Sequence, residues 1–111
     1  MEGAMNSWQH GYFAERGYAY NVIADQFPRR LVNAALWHGH RPPDLAQPFR
    51  YVDLGCGQGV GLCVMAALHP NGQFVGVDFL PEHIAHGRSL AAAAQLANVQ
   101  FLEADFLTLA E

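Results

Sequence analysis

The chain has 111 residues, 51% of them apolar and only 14% charged, with a formal net charge of −4. That length holds one domain with a real core, and the composition is that of a folded protein, not a disordered one. Arg29-Arg30 is the only adjacent basic pair, so docking to nucleic acid or to an acidic lipid surface is not the expected activity. The two cysteines, Cys56 and Cys63, are too few for a secreted disulfide scaffold, and their neighbours suggest no metal site. The N-terminal stretch MEGAMNSWQHGY lacks the basic-then-apolar order of a signal peptide. The most apolar segment, residues 89–97, is too short to span a bilayer. A cytoplasmic protein without a membrane partner is the expectation.

Residues 1–27 are polar and aromatic without clean periodicity, and carry Trp8, Tyr12, Phe13, Tyr18, Tyr20 and Phe27. Pro28 then opens PRRLVNAALWH, where Leu31, Ala34, Ala35 and His38 recur at helical spacing. Proline suits a first helical turn because the N–H it lacks would be unpaired there. Gly39 stops this helix, and the three prolines of residues 39–48 mark a linker. FRYVDL, from Phe49, has the β-branched and aromatic content of a strand. Val60–Leu68 reads as a helix, stopped by Pro70-Asn71-Gly72. QFVGVDF is a second strand, cut off by Pro81. A long helix is predicted over Pro81–Ala97, with Glu82 favourably near its N-terminus. Asn98 ends it, and VQFLEADF reads as a third strand. The order implies parallel strands with right-handed crossovers: a three-layer Rossmann-like α/β sheet, first βαβαβ half only, preceded by an N-terminal helical segment. Two parts follow, a lead-in and linker over 1–48 and the βαβαβ unit over 49–111. The second half of such a sheet does not appear before the terminal LTLAE.

The densest chemistry lies in YVDLGCGQGVG, residues 51–61. A strand ends in Asp53, and Gly55, Gly57 and Gly59 form a bare turn into a helix. Glycine permits positive φ and lets a ligand lie against the backbone, while the helix start offers free N–H groups. The dinucleotide fingerprint G-x-G-x-x-G fails in both frames, meeting Val60 or Leu62 at its last position. Asp53 would also repel a pyrophosphate. It would instead favour a ligand with an ammonium group and no phosphate, and S-adenosylmethionine is such a ligand. Asp78, ending the second strand, is placed to accept hydrogen bonds from ribose hydroxyls, with Phe79 next to it to cover the adenine. Asp105 follows the third strand and can accept from the adenine amino group, while the N–H of Ala104 or Phe106 meets a ring nitrogen. All three acids fall at the C-terminal edge of the sheet, where ligands of such sheets bind.

VDLGCGQGVG, FVGVDF and VQFLEADF together resemble the nucleotide-site motifs of class I S-adenosylmethionine-dependent methyltransferases, over about residues 49–106. The resemblance implies methyl transfer from S-adenosylmethionine to an acceptor. It implies that Asp53, Gly55, Cys56, Gly57 and Gly59 form the cofactor turn, Asp78 the ribose clamp and Asp105 the adenine contact. The motif that the family carries on its fourth strand, near the transferring methyl group, is not in this chain, so the catalytic residues and the acceptor stay unassigned.

Blander roles stand beside these. Asp53 and Asp105 also suit turns. Cys56 has no histidine fixed near it and is expected as a small turn residue, not a nucleophile. His38/His40 and His83/His86 are close pairs, but nothing completes a four-ligand metal set, and His83 and His86 are expected on the helix surface. Tyr12, Tyr18 and Tyr20 are expected to pack the lead-in onto the sheet rather than to face a sulfonium, and nothing fixes the distance from His10 to any group. Two rival functions remain: an interaction module, dimerising through the open sheet edge at Phe49, and a nicotinamide-dependent oxidoreductase, which Asp53 and the failed fingerprint disfavour.

Overall fold

The computed structural model describes residues 22–109; the expectations for His10, Tyr12, Tyr18 and Tyr20 lie outside them. After a 3-10 turn at Ala24–Gln26 come α1 (Pro28–Trp37), β1 (Phe49–Leu54), α2 (Val60–Leu68), β2 (Gly72–Asp78), α3 (Pro81–Ala93), β3 (Val99–Glu103) and the short α4 (Phe106–Leu109). The strands are parallel, in the order β1-β2-β3, as the alternation of strand and helix requires. Prolines stand in the first turns of α1 and α3, and Gly39 turns the chain beyond α1 with φ +80°.

Register decides which side chains share a face. Tyr51 lies opposite Phe74, and Asp53 opposite Gly76; Gly76 in turn lies opposite Phe101, and Asp78 opposite Glu103. The face that carries Phe49, Phe74 and Phe101 is the buried one, and α2 and α3 pack on it. Phe74 sits at its centre, edge-on to Phe49 at 5.8 Å and tilted against Tyr51 at 5.5 Å. Leu62 and Met65 from α2 and Ile84 from α3 close over it, each 1% exposed. On the alternating positions Val52, Leu54 and Leu102 remain 42–56% exposed, while Val77, between Leu54 and Leu102 in register, is buried.

Small residues set how closely the helices approach. A Cβ at Gly76 would lie 2.8 Å from Leu62 and 2.9 Å from the Cys56 sulfur, so only glycine lets the turn and α2 settle on β2. Phe101 plays the matching part on β3, where it fills the space between Gly59 and Gly87.

Two elements end earlier than predicted. The third helix stops at Ala93, not Ala97: Gln95 takes a left-handed conformation, φ +57°. Its N–H donates to the Ala92 carbonyl at 3.1 Å and that of Leu96 to Ala91 at 2.9 Å, the paired reversal that satisfies terminal carbonyls. The third strand stops at Glu103 because its neighbour β2 ends at Asp78, and Phe106 opens α4 instead. Asn98 does more than follow a helix. Its Nδ2 reaches the carbonyls of Ala66, His69 and Gly72 at 3.0 Å each, joining the end of α2 to the starts of β2 and β3. The linker is held in a similar way, by Asn71 Nδ2 on the carbonyls of Leu45 (2.7 Å) and Gln47 (3.0 Å).

Candidate functional site

The turn from β1 into α2 is supported from below by β2. The N–H groups of Gly55 and Cys56 both donate to the Val77 carbonyl, at 2.7 and 3.0 Å. The next N–H, of Gly57, donates to Asp78 Oδ2 at 2.9 Å, and the Gly59 N–H closes the turn on the Cys56 carbonyl at 3.3 Å. Gly55, Gly57 and Gly59 all have positive φ, +86°, +61° and +84°, a region costly to residues with a Cβ. Gly59 is also the residue that precedes α2, and no side chain caps that helix. The N–H groups of its first turn thus have no intrahelical partner and carry the positive end of the helix dipole.

Above the turn lies a cavity of about 460 Å³, lined by residues 55–62, Asp53, Ile23 and Gln26. That volume is in the range of small-molecule sites. Asp53, Gly55, Cys56, Gly57 and Gly59 therefore all line one cavity. Ile23 and Gln26 are lining residues that the sequence does not reveal. Gln26 is brought there by its carbonyl, which accepts the Tyr51 hydroxyl of β1 at 2.6 Å.

Asp78 is 4% exposed and sits beneath the turn, outside the cavity lining. Besides Gly57, its carboxylate accepts the Leu80 N–H on Oδ1 at 3.0 Å. Phe79 and Asp105 are half-buried close by in sequence to the strand ends. The ring of Phe106 comes within 3.9 Å of where a Gly55 Cβ would stand, which places it against the turn. Ala104 differs from expectation: its N–H donates to the Asp78 carbonyl at 3.0 Å and is thus engaged in holding β3 to β2.

The acids shape the local electrostatics. Burial, and then the negative charge of Asp78, push the Asp53 carboxyl above its ordinary pKa. A cationic partner would reverse that shift, so the position suits a ligand with an ammonium group. Burial raises the Cys56 thiol to about 12, with the charges of Asp78 and Asp53 adding to it. A thiol held protonated to that degree is no nucleophile at neutral pH.

The histidines of α3 correct the sequence expectation. Neither lies out on the surface: His83 is 0% exposed, with Nδ1 3.5 Å from Asp78 Oδ1, and the half-buried His86 places Nδ1 2.6 Å from the Gln58 carbonyl. A signal existed. Ile84, Gly87 and Ala91 form the buried stripe of this helix, and His83 stands four residues before Gly87 on the same side.

Comparison with known proteins agrees with this geometry. A family profile described as "Methyltransferase domain" matches residues 47–111, more than half of the chain. Protein sll1526 of Synechocystis sp. is 34% identical over 100 residues, which are 90% of this chain and 20% of the relative. A tRNA (guanine-N(7)-)-methyltransferase of Rubrobacter xylanophilus is 32% identical over 91 residues, 75% of this chain and 41% of that enzyme. Among solved structures, PKMT2 from Rickettsia typhi in complex with AdoHcy superimposes with a TM-score of 0.76 at 30% identity, over 85% of this chain and 18% of that one. The chain thus spans between about a fifth and two fifths of the length of these relatives.

Proposed function

The chain belongs to the class I S-adenosylmethionine-dependent methyltransferases, and on that footing we propose that residues 49–106 bind S-adenosylmethionine for methyl transfer to an acceptor. The observation that carries this is the cavity over the glycine turn, lined both by Asp53 and by the uncapped start of α2. The methionine end of the cofactor is a zwitterion. Asp53 would face its ammonium group, and the N–H groups at the start of α2 would receive its carboxylate. Asp78 would serve the ribose side from beneath the turn that it braces through the Gly57 N–H, and Phe79, Asp105 and Phe106, at the ends of β2 and β3, would stand toward the adenine. The rigid support of the turn by Val77 and Asp78 favours such a role, since a site held in advance binds at lower cost.

The reaction is in-line displacement: the acceptor's lone pair forms a bond to the methyl carbon as the carbon–sulfur bond breaks, and the sulfonium leaves as a neutral thioether. Alignment alone can supply roughly 7–11 kcal/mol in well-oriented reactions, so these residues serve by binding and aiming the donor. The acceptor is chosen by parts of the enzyme beyond them.

Calorimetric titration with S-adenosylmethionine and S-adenosylhomocysteine, with NAD and ATP as controls, tests this. Wild type should bind the first two only, and Asp78→Ala should weaken them at least about tenfold. A folded wild type that binds neither, or that prefers NAD, would sink the reading. A second reading, self-association through an open edge, is favoured by β1 lying at the margin of the sheet with Val52 and Leu54 exposed. A concentration-dependent dimer in sizing experiments, with no cofactor binding, would favour it.

A further inference from the structure

We propose that His83 and His86 of α3 are positioning residues for the cofactor turn, an inference that rests on the cofactor reading above. They stand three residues apart, and so on neighbouring positions of one helix face. Each addresses a different part of the turn's support. His86 places Nδ1 2.6 Å from the carbonyl of Gln58. A carbonyl only accepts, so Nδ1 carries the proton and the ring is held in that tautomer or in the doubly protonated form. Gln58 lies between Gly57 and Gly59, two residues at positive φ. Its peptide is the part of the turn that β2 does not hold, since the bonds from Val77 and Asp78 reach only Gly55, Cys56 and Gly57. His86 holds that peptide from α3.

His83 works one layer deeper. It is 0% exposed, and its Nδ1 stands 3.5 Å from Asp78 Oδ1, longer than a short hydrogen bond. Asp78 already accepts from Gly57 on Oδ2 and from Leu80 on Oδ1. His83 thus backs the Oδ1 side of the carboxylate, while Oδ2 stays next to the turn. The close approach that puts both rings in reach comes from Gly87, one residue after His86, where a Cβ would collide with Phe101 at 2.7 Å. α3 thereby acts as a rigid bar that sets the Gln58 peptide and the Asp78 carboxylate relative to each other.

Asparagine keeps a donor close to the place of Nδ1, whereas leucine keeps bulk and removes the donor. S-adenosylhomocysteine is therefore titrated into wild type, His86→Leu, His86→Asn, His83→Leu and His83→Asn, with melting of the ligand-free proteins followed in parallel. The expected result is a loss of affinity of about three- to tenfold for His86→Leu and a return to within about twofold of wild type for His86→Asn. The His83 variants should follow the same order. Half-buried His86 tolerates exchange better than His83, so the His86 pair decides if the His83 variants do not fold. Equal affinity in His86→Leu and wild type would overturn the proposal while leaving the cofactor reading intact. So would an equal loss in the leucine and asparagine variants, which would reduce His86 to packing. A folded wild type that fails to bind would overturn both.

Discussion

Gly55 and Gly59 form a natural control for one another. Their backbones are nearly the same, φ +86° and +84°, but their surroundings are not. A Cβ at Gly55 would meet only the Phe106 ring, at 3.9 Å, whereas at Gly59 it would lie 2.7 Å from Phe101 and 3.1 Å from the Gly87 backbone. Gly55→Ala should therefore cost only the left-handed penalty, about 1–2 kcal/mol. Gly59→Ala carries that penalty plus overpacking, typically about 1–3 kcal/mol, for a total of about 2–5 kcal/mol. Gly61, inside α2 with negative φ and open space at its Cβ, completes the series. Gly61→Ala should stabilise by about 0.5–1 kcal/mol through helix propensity. Urea unfolding of the three variants reads these differences directly, provided the slopes match. Phe101→Leu in the Gly59→Ala background should return part of the loss, because it removes the collision and not the backbone strain. If Gly59→Ala and Gly55→Ala fell within about 0.5 kcal/mol of each other, the packing of Phe101 on the turn would be wrong.

Three further outcomes follow from individual residues. Asp53 titrates above its ordinary value in the folded chain. Its ionised form therefore weakens the fold at neutral pH, and that penalty fades as pH falls through the raised folded pKa. Asp53→Asn should raise the melting temperature of the ligand-free protein at pH 7.5, lose that advantage in acid, and weaken S-adenosylhomocysteine binding; a lower melting temperature with unchanged binding would contradict this. Asn98→Ala removes the donor shared by three carbonyls and should cost about 1–3 kcal/mol in denaturant unfolding; a neutral result would mean that water replaces it. Gln95→Gly relieves the left-handed residue after α3 and should stabilise by about 1 kcal/mol, the lower end of the left-handed penalty. Cofactor affinity should be unchanged, and a fall in the melting temperature would refute the assigned reversal.

Much of this architecture was legible because glycine and proline punctuate it. Pro28 and Pro81 start helices, Gly72 and the glycines after Asp53 bound strands, and the three acids fall where parallel strands end. The boundaries that were missed have no such marks. Nothing in Ala94-Gln95-Leu96-Ala97 announces a stop, since glutamine takes the left-handed state here without a sequence cue. β3 ended early for a reason outside its own residues, the length of β2. The site was legible in its first layer and opaque in its second. Histidine at helical spacing reads as surface until the stripe of Ile84, Gly87 and Ala91 fixes the buried side, and that stripe is weak because two of its members are small. Gln26 enters the cavity through one hydrogen bond to Tyr51, a long-range contact that no local pattern encodes.

The insertion of Phe101 between Gly59 and Gly87 also bears on the order of assembly. The turn that lines the cavity depends on a ring supplied from more than forty positions later in the chain. β1, α2 and β2 can meet early and brace Gly55, Cys56 and Gly57, but Gly59 lacks its Phe101 backing until β3 docks. Such non-local closure is the slow part of forming a parallel sheet. A nascent chain released as far as α3 would hold every residue that lines the cavity and still present it loosely. Ligand capture would then arise late and abruptly, which makes it a reporter of the docking of β3.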